Sequence, residues 1–519
     1  MMLAPRNPAK VGLSALAGIV TLLFGVSPAL AGQGKVSQSL QARLSDPAVS
    51  SLNVIVQGPQ AEVDRLAKSY GVRVVKRLDM GAVLSGSPAQ LGAVAGDDNV
   101  SALVADDVVT STMAVSTQST GASQLWGGAD GSNFGGLVGE GIGVAVIDSG
   151  IGLHPDVVRR VRHWVDFVND GSGTPDGYGH GTHVAGIIAG SGGGSRTGDG
   201  SAHVGMAPGV ELVSLRVLGA DGLGYVSDVV LALEWAIKNK NRYRLRVVNL
   251  SLGLFTTEPR QSDPMAQAVE RAVDAGLVVV ASAGNLGKSE DGTPLVGAVV
   301  SPGRSPAALT VGALNTRGTV ARSDDAVASY SSRGPVGDPD DQSTWEIKPD
   351  LVAPGNGVVA PGSPGTHLWE TFADRRVFAD GGGTYLKLSG SSMATAVVSG
   401  AVAQLLQAQP GLTPAQVKFA LQFTAQRLEG FGVIEQGAGS LNVPLAVALA
   451  VNQDLSADPT SVQIGGEMVA AGEMAFLDGN ASGDGVTAWG RTNVWTGRGL
   501  RGNAVVWGGR NVGGNAIIW

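Results

Sequence analysis

The 519-residue chain contains no cysteine. That absence removes disulfides, thiolate metal sites and a cysteine nucleophile together, so stability must come from packing or bound ions. Positive charge is also scarce. Lys and Arg number 36 against 44 Asp and Glu, for a formal net charge of −8, which does not favour a nucleic-acid surface. Long apolar runs are missing too, apart from Val11 to Val26. With Arg6 and Lys10 ahead of that run and Ala29-Leu30-Ala31 before Gly32, residues 1–31 read as a cleaved secretory signal. No other stretch reaches the roughly 18 to 20 apolar residues of a membrane span, so a mature protein without a transmembrane segment is expected. An exported chain without disulfides points to a bacterial periplasm or the cell exterior.

What is present is glycine, 78 residues of it, and an apolar content of 43%, enough for a sizeable core at this length. From Ser51 to Val109 the pattern reads strand, helix, strand, strand, helix, strand. Val63, Leu66, Ala67 and Tyr70 fall at helical spacing, and Pro88 opens a second helix at its first position. A small α+β, ferredoxin-like unit over residues 32–115 is expected. Ser111 to Ser119, rich in Ser and Thr, reads as an exposed linker. Over 116–450, β-like runs alternate with helical segments, as in Gly143 to Ile147, Thr182 to Ala189, Leu212 to Val217 and Asp228 to Lys238. That alternation predicts an α/β fold, a mostly parallel sheet with helices on both faces. Thr413, Pro414 and Gln416 form an N-cap, first-position proline and capping-box set for a late helix. Residues 451–519 differ: they form a Gly- and Trp-rich extension in which Asn503-Ala-Val-Val-Trp507 is echoed by Asn515-Ala-Ile-Ile-Trp519. Short strands or a weakly paired tail are expected there.

Three glycine-rich motifs carry the chemistry, Val144-Ala-Val-Ile-Asp-Ser-Gly150, His180-Gly-Thr-His-Val-Ala-Gly186 and Gly390-Ser-Ser-Met-Ala394. A serine hydroxyl is a poor nucleophile unless an imidazole removes its proton, and the imidazole needs a carboxylate to fix its tautomer. Asp148 ends an apolar strand, where open α/β sheets form their ligand crevices. His180 opens a helix behind a glycine that permits close backbone approach. Ser392 stands where a glycine turn meets an apolar helix, whose dipole and free N–H groups can support an oxyanion. The chain order Asp, His, Ser is that of the subtilisin type of triad.

On these motifs the sequence resembles the subtilases, subtilisin-like serine endopeptidases, over roughly residues 50–450. The resemblance implies Asp148, His180 and Ser392 as catalytic residues and Asn285, in Ala281-Ser-Ala-Gly-Asn285, as the oxyanion donor. It implies that Leu223-Gly224-Tyr225 and Ser251-Leu252-Gly253 clamp an extended peptide as an added strand. Ser251 to Gly253 and Ser282-Ala283-Gly284 would wall the pocket for the side chain before the scissile bond. It implies further that the 32–115 unit is an inhibitory propeptide removed by self-cleavage, that no cofactor is needed for the chemistry, and that Asp156 is a candidate ligand for a structural calcium ion. The expected partners are protein or peptide substrates and the chain's own propeptide, with a monomer as the default. The serine motif departs from the family pattern: Ser391 replaces a threonine, and Ala396 and Val397 replace a proline and a histidine. Two other readings stay open. One is a secreted binding or surface protein on an inactive subtilase scaffold. The other is a metallohydrolase using His180 and His183, which lacks the glutamate of a His-Glu-x-x-His site.

Overall fold

The computed structural model describes residues 36, 40, 44, 49–78, 81–100, 103–105, 112–127, 136–171, 173–195, 202–256, 260–337, 345–452, 461–478 and 494–497. The chain divides into two units, 1–109 and 110–519.

In the first unit the strands β1 (Leu52–Gln57), β2 (Arg73–Leu78), β3 (Gly81–Gly86) and β4 (Leu103–Ala105) alternate with helices α1 (Gln60–Tyr70) and α2 (Pro88–Ala95). They form one antiparallel sheet in the order β2-β3-β1-β4, the split arrangement of ferredoxin-like units. Apolar residues at helical spacing on α1 (Val63, Leu66) and α2 (Leu91, Val94) cover Val54, Val56 and Leu84 of the sheet. Ser87 accepts from the Gln90 backbone N–H and the Gln90 side chain reaches back to Ser87, so a capping box starts α2 at Pro88.

The second unit begins with a departure from expectation. Thr112–Ser119 is a helix, α3, rather than an exposed linker, and Val115, Ser116, Thr117 and Ser119 are buried. Burial of one valine and three small polar side chains fixes a segment whose Ser and Thr content favours turns.

Beyond it lies an eight-stranded sheet. β5 (Gly143–Asp148), β6 (Val161–Asp166), β7 (Glu211–Arg216), β8 (Leu245–Leu250), β9 (Val278–Ser282) and β10 (Leu309–Asn315) run parallel in the order β10-β9-β8-β5-β7-β6. Two short strands, β11 (Ala326–Val327, antiparallel) and β12 (Leu351–Pro354, parallel), pair with β10. Because side chains alternate along a strand, Val144 and Val146 of β5 enter one core while Ala145 and Ile147 enter another. The first core lies under α4 (Pro155–Val158), α5 (His180–Ala189), α9 (Ser391–Ala408) and α10 (Pro414–Thr424), the second under α6 (Val226–Asn239) and α7 (Pro264–Asp274). The mostly parallel α/β architecture is therefore as the sequence implied. Thr413 caps α10 with Gln416 at its third position and Pro414 at its first. β13 (Val358–Pro361) and β15 (Thr384–Leu388) form a hairpin that also holds β14 (Arg376–Phe378).

The folded body does not close by Ala450. After α11 (Val443–Asn452), the hairpin β16 (Ser461–Ile464) and β17 (Glu467–Ala470) buries Ile464 and Val469. The Glu467 carboxylate accepts from the Arg322 and Ser323 backbone N–H groups and the Ser323 hydroxyl, and Gly472 N–H donates to the Ala425 carbonyl. β18 (Ala475–Asp478) pairs in parallel with β19 (Val494–Gly497). The Trp507 and Trp519 repeat lies outside the described residues. Among the described residues no helix is long and apolar enough to cross a membrane.

Candidate active site

β5 lies between β7 and β8, so its C-terminal end opens where the chain's order across the sheet reverses. Asp148, the last residue of β5, is fully buried. A buried carboxylate must be paired, and this one is: Ser149 N–H donates to Oδ1 at 2.7 Å, and His180 Nδ1 lies 2.8 Å from Oδ1 and 3.0 Å from Oδ2. With a carboxylate on that edge, Nδ1 carries the proton and Nε2 is left as the basic nitrogen. Burial opposes a charged imidazole, but the Asp148 charge and hydrogen bond outweigh it and raise the His180 pKa.

Two glycines allow this pairing. A Cβ on Gly181 would lie 2.0 Å from the Gly150 carbonyl oxygen, and one on Gly150, whose φ is +106°, would lie 1.9 Å from that of Pro175. Asp176 supplies the rest. Its buried carboxylate accepts from Ser149 Oγ (2.9 Å) and from the backbone N–H groups of Gly179 (2.7 Å) and Thr182 (2.9 Å), with Thr182 Oγ1 at 2.5 Å. Burial raises the Asp176 pKa against those four donors. The same Ser149 hydroxyl accepts from Gly181 N–H at 2.9 Å, so strand end and helix start are tied through one carboxylate. Sequence reasoning missed Asp176. Its signal was an acid four residues ahead of a helix N-terminal histidine.

Ser392 is the second residue of α9, which packs against α5 and against β8, β9 and β10. Its Oγ donates to the Ser251 carbonyl at 3.0 Å, and Ser251 Oγ donates back to the Ser392 carbonyl at 2.9 Å. Asn249 Nδ2 donates to Ser251 Oγ, and Asn249 Oδ1 accepts from Ser399 on the next turns of α9. Ser391, the residue in the place of a threonine, accepts from Gly284 N–H at 3.1 Å. Its own N–H donates to Asn285 Oδ1 at 2.9 Å. That bond orients the Asn285 amide through its oxygen, and Nδ2 is its donor end. Ala396 and Val397 are fully buried within α9, which keeps its helical course without the proline.

The segments expected to hold substrate divide by exposure. Leu223 and Tyr225 are 72% and 77% exposed, and Gly253 is exposed beside half-buried Leu252. Ser251, Ser282, Ala283 and Gly284 are buried, and Ser282 Oγ donates to the Leu252 carbonyl at 3.2 Å, joining the two segments. Gly224 lies so close to the Val217 carbonyl (2.2 Å from an added Cβ) that no larger residue fits without a shift.

His183 does not join His180 as a metal pair. Nε2 of this fully buried ring meets the Leu386 carbonyl at 3.0 Å, and burial pushes its pKa down to about 3, so it is a neutral structural imidazole. At Asp156 the carboxylate is hydrogen-bonded: Gly194 N–H donates to Oδ1 at 2.9 Å and Tyr385 OH to Oδ2 at 2.8 Å, with Ser191 Oγ at 3.4 Å. The bonds from Gly194 and Tyr385 leave a lone pair on each carboxylate oxygen, and residues 196–201 of the adjoining loop lie outside the described residues. Among the described residues no three His, Cys, Asp or Glu side chains are grouped to hold a metal.

The sequence is similar to those of known proteins. The family model described as the subtilase family, peptidase S8, matches residues 139–440. Serine protease AprX of Bacillus subtilis (strain 168) is 36% identical over 316 residues, covering 60% of this chain and 67% of that protein. Subtilisin BL of Lederbergia lenta is 35% identical over 313 residues, covering 60% of this chain and 92% of the other.

Proposed function

This chain belongs to the subtilase family of serine endopeptidases, and on that premise we propose that Asp148, His180 and Ser392 cut peptide bonds through an acyl-enzyme in a self-processing, exported precursor. The observation that carries the reading is the bond from His180 Nδ1 to the buried Asp148 carboxylate, which leaves Nε2 as a base at the mouth of the crevice. In the reaction Ser392 Oγ gives up its bond to the Ser251 carbonyl and passes its proton to Nε2 as it attacks the substrate carbonyl carbon. The resulting oxyanion accepts from Asn285 Nδ2 and the Ser392 backbone N–H. His180 then returns the proton to the leaving amine, and water repeats the attack on the acyl-serine to free the acid. Leu223 to Tyr225 and Ser251 to Gly253 bind the peptide as an added strand, with Ser282 to Gly284 closing the adjoining side-chain pocket.

The ferredoxin-like unit acts as the intramolecular inhibitor and residues 1–31 direct export. Since α3 is folded into the second unit, self-cleavage falls ahead of Thr112. The chain from residue 32 is made as wild type and as Ser392→Ala, and N-terminal sequence is followed with time. A new start between Asp106 and Thr112 in the wild type alone is expected. Equal processing of both forms would assign the cut to another protease.

A further inference from the structure

Between β13 and β15 the chain makes an excursion, Ser363 to Gly383, that the proposed chemistry does not use. It carries the short helix α8 (His367–Thr371), and it lands on the residues that lead into His180. His367 N–H donates to the Gly177 carbonyl and Leu368 N–H to the Tyr178 carbonyl, each at 3.0 Å. Thr366 fills the space that a side chain at Gly179 would need, 2.6 Å from its added Cβ to Oγ1. The excursion is itself anchored: Leu368 and Trp369 are buried, and the Arg376 guanidinium closes on the Trp369 carbonyl at 2.7 and 2.9 Å. Three residues ahead of the histidine are thus held from outside their own strand and helix.

Side chains continue the contact. The His367 ring stacks on Tyr178 with centroids 5.4 Å apart and planes 20° from parallel, and the Tyr178 ring centre lies 6.4 Å from that of His180. Gly222, in the loop that leads to Leu223, has φ +80°, and its added Cβ would sit 2.6 Å from Tyr178 Cζ. Tyr178 is therefore wedged among His367, Gly222 and the catalytic imidazole. Asp148 holds one edge of His180, which fixes the direction of Nδ1 but does not by itself stop the ring from tilting about that bond.

We propose that Tyr178 and His367 are positioning residues for His180: α8 holds the tyrosine ring beside the imidazole and limits its tilt away from Ser392. The proposal rests on His180 being the general base. A displacement of about 1 Å at a reacting group can cost on the order of 100-fold in rate, so a partial loss of restraint belongs a step below that. The ring stack, rather than the tyrosine hydroxyl or the histidine charge, is the working feature.

The test uses the self-matured enzyme and the variants Tyr178→Ala, Tyr178→Phe, His367→Ala and His367→Phe, with active sites counted by a serine-directed organophosphonate. Both alanine variants are expected to lower kcat per titrated site about 5- to 50-fold with KM changed by less than about twofold. Both phenylalanine variants, which keep a ring in place, are expected within about threefold of wild type. Unchanged kcat in the alanine variants, a loss carried entirely by KM, or phenylalanine variants as poor as alanine would each overturn the proposal. A wild type no faster than His180→Ala would sink the reading of the site itself and the proposal with it.

Discussion

At the residue scale, Asp148 does two things to His180: it selects the tautomer and it raises the pKa. In the proposed mechanism the base works as the neutral imidazole, so activity is lost as pH falls through the raised value. The acid limb of kcat/KM should therefore lie above about 6.5, the ordinary imidazole value. Asp148→Asn should lower kcat by about 10⁴-fold and move that limb downward. An acid limb that stayed in place on this substitution would separate the pKa from the carboxylate. The site's three motif residues were legible in the sequence because each sits in a glycine frame that backbone proximity dictates. Asp176 left only a faint local mark, an acid shortly ahead of the helix histidine whose N–H groups it accepts, and Ser391 and Asn249 left none, since their bonds to Gly284 and Ser399 span 107 and 150 residues.

At the scale of elements, strand ends and helix starts meet through contacts that tolerate no side chain. Gly181→Ala places a methyl group against the Gly150 carbonyl at a separation real structures do not show. Either β5 or α5 must shift, at a cost of about 1 to 3 kcal/mol in overpacking, and the Asp148–His180 pair shifts with them. The expected outcome is a protein with a lowered denaturation midpoint and a larger fractional loss of activity than of stability. Wild-type activity in Gly181→Ala would mean that the close approach is not needed. The parallel strands, the first-position proline of α2 and the capping box at Thr413 could be read from the sequence, because apolar runs and cap residues act locally. Helix α3 could not. Its Thr and Ser content argues for a turn, and only burial of Val115 and the bond from Thr120 Oγ1 to the Ser116 carbonyl reverse that preference.

At the scale of the whole molecule, the β16–β17 hairpin extends the peptidase unit past the matched family region and is tied through Arg322 to α3 of the same unit. This buried guanidinium donates to the Ser119, Ser440 and Leu441 carbonyls and to Gln426, while its backbone N–H meets Glu467. Nearby Asp325 has both carboxylate oxygens buried without a hydrogen-bond partner, and burial, opposed by Arg322, pushes its pKa up to about 7. The folded state then keeps a proton that the unfolded chain releases near its ordinary value of 3.8. Stability contributed by that proton is present in acid and lost as pH rises from the unfolded value through about 7. In an inactive Ser392→Ala background, Asp325→Asn should raise the denaturation midpoint at pH about 9 more than at pH about 4. A gain equal at both would remove Asp325 as the cause. Such tertiary couplings were invisible in a sequence whose last 69 residues showed a distinct composition, a Trp-ended repeat and the mark of short strands, but no partner for them. The account's centre is Ser392, and the most direct measurement is the mass of the peptide containing it after exposure of the matured protein to a fluorophosphonate. One adduct on Ser392, absent over the same interval in His180→Ala that was matured in trans by a tagged wild-type enzyme since removed, is the result expected. An unmodified Ser392, or equal labelling without His180, would contradict the triad.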